Sequence, residues 1–138
     1  MFEDITKYKN CGNFSFRKGD NLAQLSKNVP EKPGVYYILR LAKGKVDLVY
    51  IGKSGTVLQD GSFKSQLLRG RLNNKQEGVK RQVYFDMKMD QENIDGLDIY
   101  WFVTVDDKNN DLPGFVEAVI LQRFYETHGK LPEWNKEY

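Results

Sequence analysis

The chain has 138 residues, the size of one domain, and 40% of them are hydrophobic, including two Trp, eight Tyr and eight Phe, so disorder along the whole length is excluded. The longest apolar runs, such as 48–51 and 100–103, are only a few residues, which excludes a membrane-spanning helix, and no membrane partner is expected. A formal net charge of +2 announces no polyanionic partner by itself.

The first seven residues, Met-Phe-Glu-Asp-Ile-Thr-Lys, lack a basic segment followed by an apolar stretch. No signal peptide is expected, and a cytoplasmic setting is the natural reading. Residues 1–29 read as an N-terminal extension packed on the domain. Within it Asn13-Phe-Ser-Phe forms a short strand, and Asp20 caps a helix carrying Leu22, Leu25 and Val29 that Pro30 ends. Cys11, the only cysteine, excludes an intrachain disulfide and a cysteine-rich zinc site.

Pro33-Gly34 opens the first clear strand, 35–41, in which Val35, Tyr37 and Leu39 alternate with Tyr36, Ile38 and Arg40. A turn at 42–45 and a second strand over 47–52 make a hairpin. Gly52, Gly55 and Gly61 mark an irregular loop; Phe63, Leu67, Leu68 and Leu72 then predict a helix over 63–74, and a second is expected over 79–93. Leu97, Ile99, Trp101, Val103 and Val105 alternate as a strand. Pro113 suits a first helical position, Val116, Ile120, Leu121 and Phe124 form one stripe, and Gly129 closes the helix. His128, the only histidine, excludes metal sites built on two histidines. This order predicts an α+β fold over 30–138: a small, three-stranded, mostly antiparallel sheet flanked by helices.

Charge is unevenly distributed. Residues 64–82 hold Lys64, Arg69, Arg71, Lys75, Lys80 and Arg81 against Glu77, whereas 86–111 hold eight acids against Lys88 and Lys108. A basic face and an acidic face are expected, which would orient a polyanion.

Gly34-Val35-Tyr36 opens one strand of the hairpin and Tyr50-Ile51-Gly52 ends the next, with 13 residues between them. This pair of triplets, followed by a basic helix and a later glutamate-bearing helix, resembles the signature of the GIY-YIG nuclease superfamily, and the resemblance runs from about Pro30 to the C-terminus. It implies a GIY-YIG-like fold and a metal-dependent DNA endonuclease. It also implies roles for single residues. The family's arginine on the helix after the second triplet corresponds to Arg71, with Arg69 as the next register. Its metal-binding glutamate, opening the last helix, corresponds to Glu117 and would hold one Mg²⁺ or Mn²⁺. Its late asparagine corresponds to Asn135 in Leu131-Pro-Glu-Trp-Asn, and Lys53 matches a lysine of the excision-repair branch. Lys75 stands where homing-type members carry histidine and repair-type members tyrosine.

These residue types suit phosphodiester hydrolysis, which needs a deprotonated attacker and stabilisation of a growing dianion. One carboxylate with waters and a substrate phosphate is ordinary magnesium coordination. Arg71 can fork to the phosphate and hold charge in the transition state. Tyr36 or Tyr50 would be the base, with Lys53 and Arg71 lowering the phenol from its usual value near ~10. Tyr36 is slightly favoured, beside Lys53 across the hairpin. Arg69, Lys75, Asn135 and Lys64 would contact nucleic acid, whether duplex or branched DNA. The competing reading is a non-cleaving nucleic-acid-binding module of the same fold; a third is a cleavage module that acts with a targeting partner or as a homodimer.

Overall fold

The computed structural model describes residues 2–64 and 67–138. They form an α+β fold whose sheet has four strands, not three: β1 (Cys11–Phe16), β2 (Gly34–Ala42), β3 (Lys45–Ser54) and β6 (Gly96–Val103), ordered β1-β6-β2-β3 and antiparallel throughout. The extra strand comes from the N-terminal stretch, which continues the pairing beyond β6, with Phe14 opposite Ile99 and Phe16 opposite Leu97. Its alternation is too short to reveal from sequence that it joins the main sheet.

The β2–β3 hairpin turns through Lys43 and Gly44, both with positive φ (53° and 73°), the geometry that matches the twist of paired strands. Between Ile38 and Leu39 the register shifts: Leu39 faces Leu48, but Ile38 faces Tyr50, leaving Val49 as the extra residue of a β-bulge. Because side chains alternate faces, this one residue changes which side of the sheet the rest of β3 presents. Tyr50 thereby joins Tyr36 and Ile38 on one face, while Leu48 joins Leu39 on the other.

Each face is covered. On one, Tyr36, Ile38, Leu97, Ile99 and Val103 pack beneath α1 (Leu22–Leu25), α2 (Leu68–Leu72) and α3 (Arg81–Gln91). On the other, Val35, Tyr37, Leu39 and Ile51 pack against Val116, Ile120 and Leu121 of α4 (Pro113–His128). Pro113 begins α4 as expected, and Gly129 closes it in the left-handed region (φ 69°). Among the described residues no helix is long and apolar enough to cross a membrane.

Three local expectations are corrected. Asn21, not Asp20, caps α1, accepting from the Gln24 amide; the Asp20 carboxylate accepts from Arg17 N instead, and the helix lasts one turn. The helix expected over 63–74 is described only at Leu68–Leu72; Ser65 and Gln66 lie outside the described residues, and Phe63 bridges Val57 in a small loop closed by Leu58 N donating to Ser62 O. The helix expected over 79–93 starts at Arg81, because Val79–Lys80 (β5) pairs with Lys75–Gln76 (β4) across a turn whose residues, Glu77 and Gly78, both have positive φ.

β3 is an edge strand, and the C-terminal tail covers its open side. Trp134 N donates to the carbonyl of the bulged Val49 (2.8 Å), and the Asn135 amide both accepts from Ile51 N (3.0 Å) and donates to Ile51 O (2.9 Å). Asn135, expected at nucleic acid, thus has its amide engaged with the backbone of the second triplet. Asn135→Ala leaves both polar groups of a buried peptide without this partner and is expected to destabilise the protein by about 1–3 kcal/mol in urea unfolding, with faster amide exchange at Ile51. Unchanged stability and exchange would remove this role.

Candidate functional site

The glycines of both triplets answer to space. A Cβ on Gly52 would lie 2.5 Å from Tyr36 Cζ, 2.6 Å from its hydroxyl and 2.9 Å from Tyr50 Cε2; one on Gly34 would collide with the Phe102 carbonyl oxygen. Removing the Cβ at 52 lets the Tyr36 ring cross the hairpin, and the two tyrosine rings lie 6.1 Å apart, tilted by 36°. The partner across the strand from Tyr36 is therefore Gly52, and Lys53 faces Val35. Lys53 leaves the sheet on the face opposite Tyr36, so the expected Tyr36–Lys53 pairing is replaced by another cation.

That cation is Arg81. Its Nη2 donates to the Tyr36 hydroxyl (2.9 Å), and its guanidinium lies 5.4 Å from the Tyr36 ring centre, 5.5 Å from Tyr50 and 6.0 Å from Phe85. Arg81 is only 2% exposed, so it belongs to the interior and not to the basic surface expected from its neighbours. Sequence reading grouped it with the basic run. The overlooked signal is its spacing on α3: Arg81, Tyr84 and Phe85 stand at i, i+3 and i+4, all on the buried stripe.

Lys53 instead lies toward the start of α4, where its aliphatic stem approaches Gly114. One turn further along the helix stands Glu117, 8% exposed between Val116 and the Ile120 layer. Burial pushes the Glu117 carboxyl up to about 7, with Lys53 and then Arg71 pulling it back toward ionisation. The Tyr50 hydroxyl is also pushed up, to about 12, chiefly by burial; Tyr36 and Glu117 raise it further, while Arg81 and Arg71 oppose them. The expectation of a phenol lowered by neighbouring cations is reversed at Tyr50, because desolvation outweighs their field.

Arg71 and Tyr50 line one cleft of about 240 Å³ with Lys75, Gln76, Arg81 and Trp134. Arg69, on the same short helix, points elsewhere and donates to the Lys27 carbonyl. Lys64 is exposed beside the loop bridged by Val57 and Phe63. A larger cavity of about 600 Å³, near Phe2, Leu48 and Phe124, lies apart from the tyrosines. Its arginines are already paired, Arg40 with Glu92 and Glu133, Arg123 with Asp4 and Glu126.

Among the described residues no group of three or more His, Cys, Asp or Glu side chains is placed to hold a metal. A hard divalent ion that keeps most of its waters needs only one or two carboxylates. Glu117 fits that role: its carboxylate makes no hydrogen bond or ion pair among the described residues. No family model, curated protein or solved structure matches this chain.

An acid whose pKa is higher folded than unfolded destabilises the fold wherever it must ionise. For Glu117 that cost is absent near pH 4, grows between its usual carboxylate range and about 7, and is complete above it. Glu117→Gln is therefore expected to be more stable than the wild type at pH 8 in EDTA, by up to about 3 kcal/mol, and equal to it at pH 4. A pH-independent difference in thermal unfolding would contradict this assignment.

Proposed function

We propose that this protein is a metal-dependent DNA endonuclease that hydrolyses phosphodiester bonds with a single divalent ion, Mg²⁺ or Mn²⁺, at Glu117. The observation that carries the reading is the meeting of both signature tyrosines, Arg71, Lys53 and a buried, unpaired Glu117 around one edge of the β2–β3 hairpin. No residue set gathered by the larger cavity offers comparable chemistry. A resident ion would supply Lewis-acid polarisation of the phosphate. Arg71, exposed at the cleft mouth, forks to non-bridging oxygens and gains strength as their charge grows. Lys53 adds positive potential from the Glu117 side.

Of the two tyrosines, Tyr50 is the better proton acceptor. It lines the cleft and is half-buried, whereas Tyr36 is 1% exposed and its hydroxyl already accepts from Arg81. Tyr36 and Arg81 then orient the Tyr50 ring. A DNA partner, a cytoplasmic setting, and a targeting partner or second copy for cutting both strands belong to the same proposal.

Plasmid nicking tests it. Wild type should nick with Mg²⁺ and not with EDTA, and Glu117→Ala should lose nicking while keeping its fold and most DNA affinity. Full nicking by a folded Glu117→Ala protein would sink the assignment; DNA retention without nicking by the wild type would favour the non-cleaving module, for which Lys75 in place of histidine or tyrosine is the motive.

The base has its own signature. With the Tyr50 hydroxyl pushed up to about 12, the phenolate fraction increases tenfold with each pH unit through the range 8–10, so log kcat/KM should climb there with a slope near one. Tyr50→Phe should flatten that limb and lower turnover roughly 10²–10⁴-fold. A flat profile with near-normal activity in both Tyr50→Phe and Tyr36→Phe would remove tyrosine from the reaction.

A further inference from the structure

The cleft beyond Tyr50 has an unusual floor. Arg81 is 2% exposed and Gln76 7%, and both line the cleft. Arg81 makes no ion pair among the described residues, and its Nε and Nη1 have no hydrogen-bond partner; neither end of the Gln76 amide has one. Each such group disfavours the fold, an unpaired buried charge more than a buried, unpartnered amide. Arginine keeps its charge in proteins, so this one does not escape by neutralising. The three aromatic rings around it offset part of the cost by cation–π attraction, but they satisfy no N–H.

The local backbone explains how Gln76 comes to be there. The β4–β5 hairpin has two residues on each strand and is tied down by Arg81 N donating to Asn74 O (2.9 Å). Val79, opposite Gln76 in that hairpin, packs against the core and anchors it, so Gln76 is held inward on the same face. Its outward neighbour Lys75, with Arg71 and Lys136, adds positive charge at the cleft mouth against Glu77 and Glu137.

We propose that this cleft is an anion subsite, in which Gln76 and Arg81 receive a phosphate of the nucleic-acid strand adjacent to the one under attack. The choice of a phosphodiester rests on the nuclease reading, since the cleft shares Tyr50 and Arg71 with that site and the next anion along the same strand is another phosphate. The positive floor, the unpaired amide and the cationic mouth stand independently of it. An anion there supplies acceptors for the orphaned N–H groups and the missing countercharge for Arg81.

The test uses the full chain in EDTA, so nothing is cleaved, and reads thermal unfolding with two probes: inorganic phosphate against chloride at equal ionic strength, and a single-stranded oligothymidylate without terminal phosphates. Arg81 variants risk unfolding, so the diagnostic change is Gln76→Glu, nearly isosteric, which installs a carboxylate in the same cleft. Both probes should raise the wild-type Tm. Gln76→Glu should have a higher Tm than wild type without any probe, should lose the phosphate increment, and should bind the oligonucleotide at least tenfold more weakly. The higher starting Tm matters, because repulsion of a probe by a new charge does not produce it. No phosphate response in the wild type, or a Gln76→Glu protein of lower Tm with its phosphate increment intact, overturns the subsite. A response to phosphate but not to the oligonucleotide overturns its assignment to a strand. Absence of nicking alongside Gln76-dependent binding of both probes would reject the nuclease and keep the subsite.

Discussion

The arrangement depends on one extra residue in one strand. Counting back from the Lys43–Gly44 turn, an unbroken hairpin would set Tyr50 opposite Tyr37 and Tyr36 opposite Ile51, with Tyr36 and Tyr50 on opposite faces of the sheet. The bulge at Val49 advances the register by one, so Tyr36 meets Gly52 and Tyr50 meets Ile38. A bulge leaves backbone groups without ladder partners, and on an edge strand those would face water or another chain. Here Trp134 and Asn135 take them up. The tail of the chain thus secures the conformation that brings the tyrosines together.

Once the tyrosines share a face, the space between them and α3 must be filled, and the chain fills it with a guanidinium. Arg81 donates to one phenol and lies over both rings. A hydrophobic residue there would pack without leaving N–H groups unsatisfied, so the choice of arginine is explained by charge and not by volume. Positive charge beneath Tyr50 opposes the desolvation that raises its hydroxyl, and it places a field at the floor of the cleft that Arg71 and Lys75 continue to the surface. Glu117 enters from the opposite layer, carried by α4 over the other face. The candidate site lies where the two layers meet around the outer edge of β3, beside the tail that covers it, which allows side chains from both to approach one region.

Much of this was legible in the sequence. Alternation in β2 and β6, the turn between β2 and β3, Pro113 at the start of α4 and Gly129 past its end are local signals, set by steric and hydrogen-bonding preferences within a few residues. The α+β class followed from their order. Two triplets of small and aromatic residues stand out in the hairpin, and the collision a Cβ would cause at Gly52 gives that glycine its physical reason.

What the tertiary structure alone decided is which residues face one another. A fourth strand emerged because the edge of β6 accepts Cys11–Phe16, a pairing some 85 residues apart in sequence that no local pattern encodes. Lys53 and Tyr36 parted because one residue of register reverses a side chain's face. Arg81 lies in the interior because α3 packs the stripe it shares with Tyr84 and Phe85 against the sheet. Asn135 turned from the solvent to the backbone of Ile51 because an edge strand needed partners. The sequence by itself determined the elements and the chemical types available. Register, helix phase and edge pairing, each a cooperative result of burying two faces of one sheet, determined which of those types share a cleft.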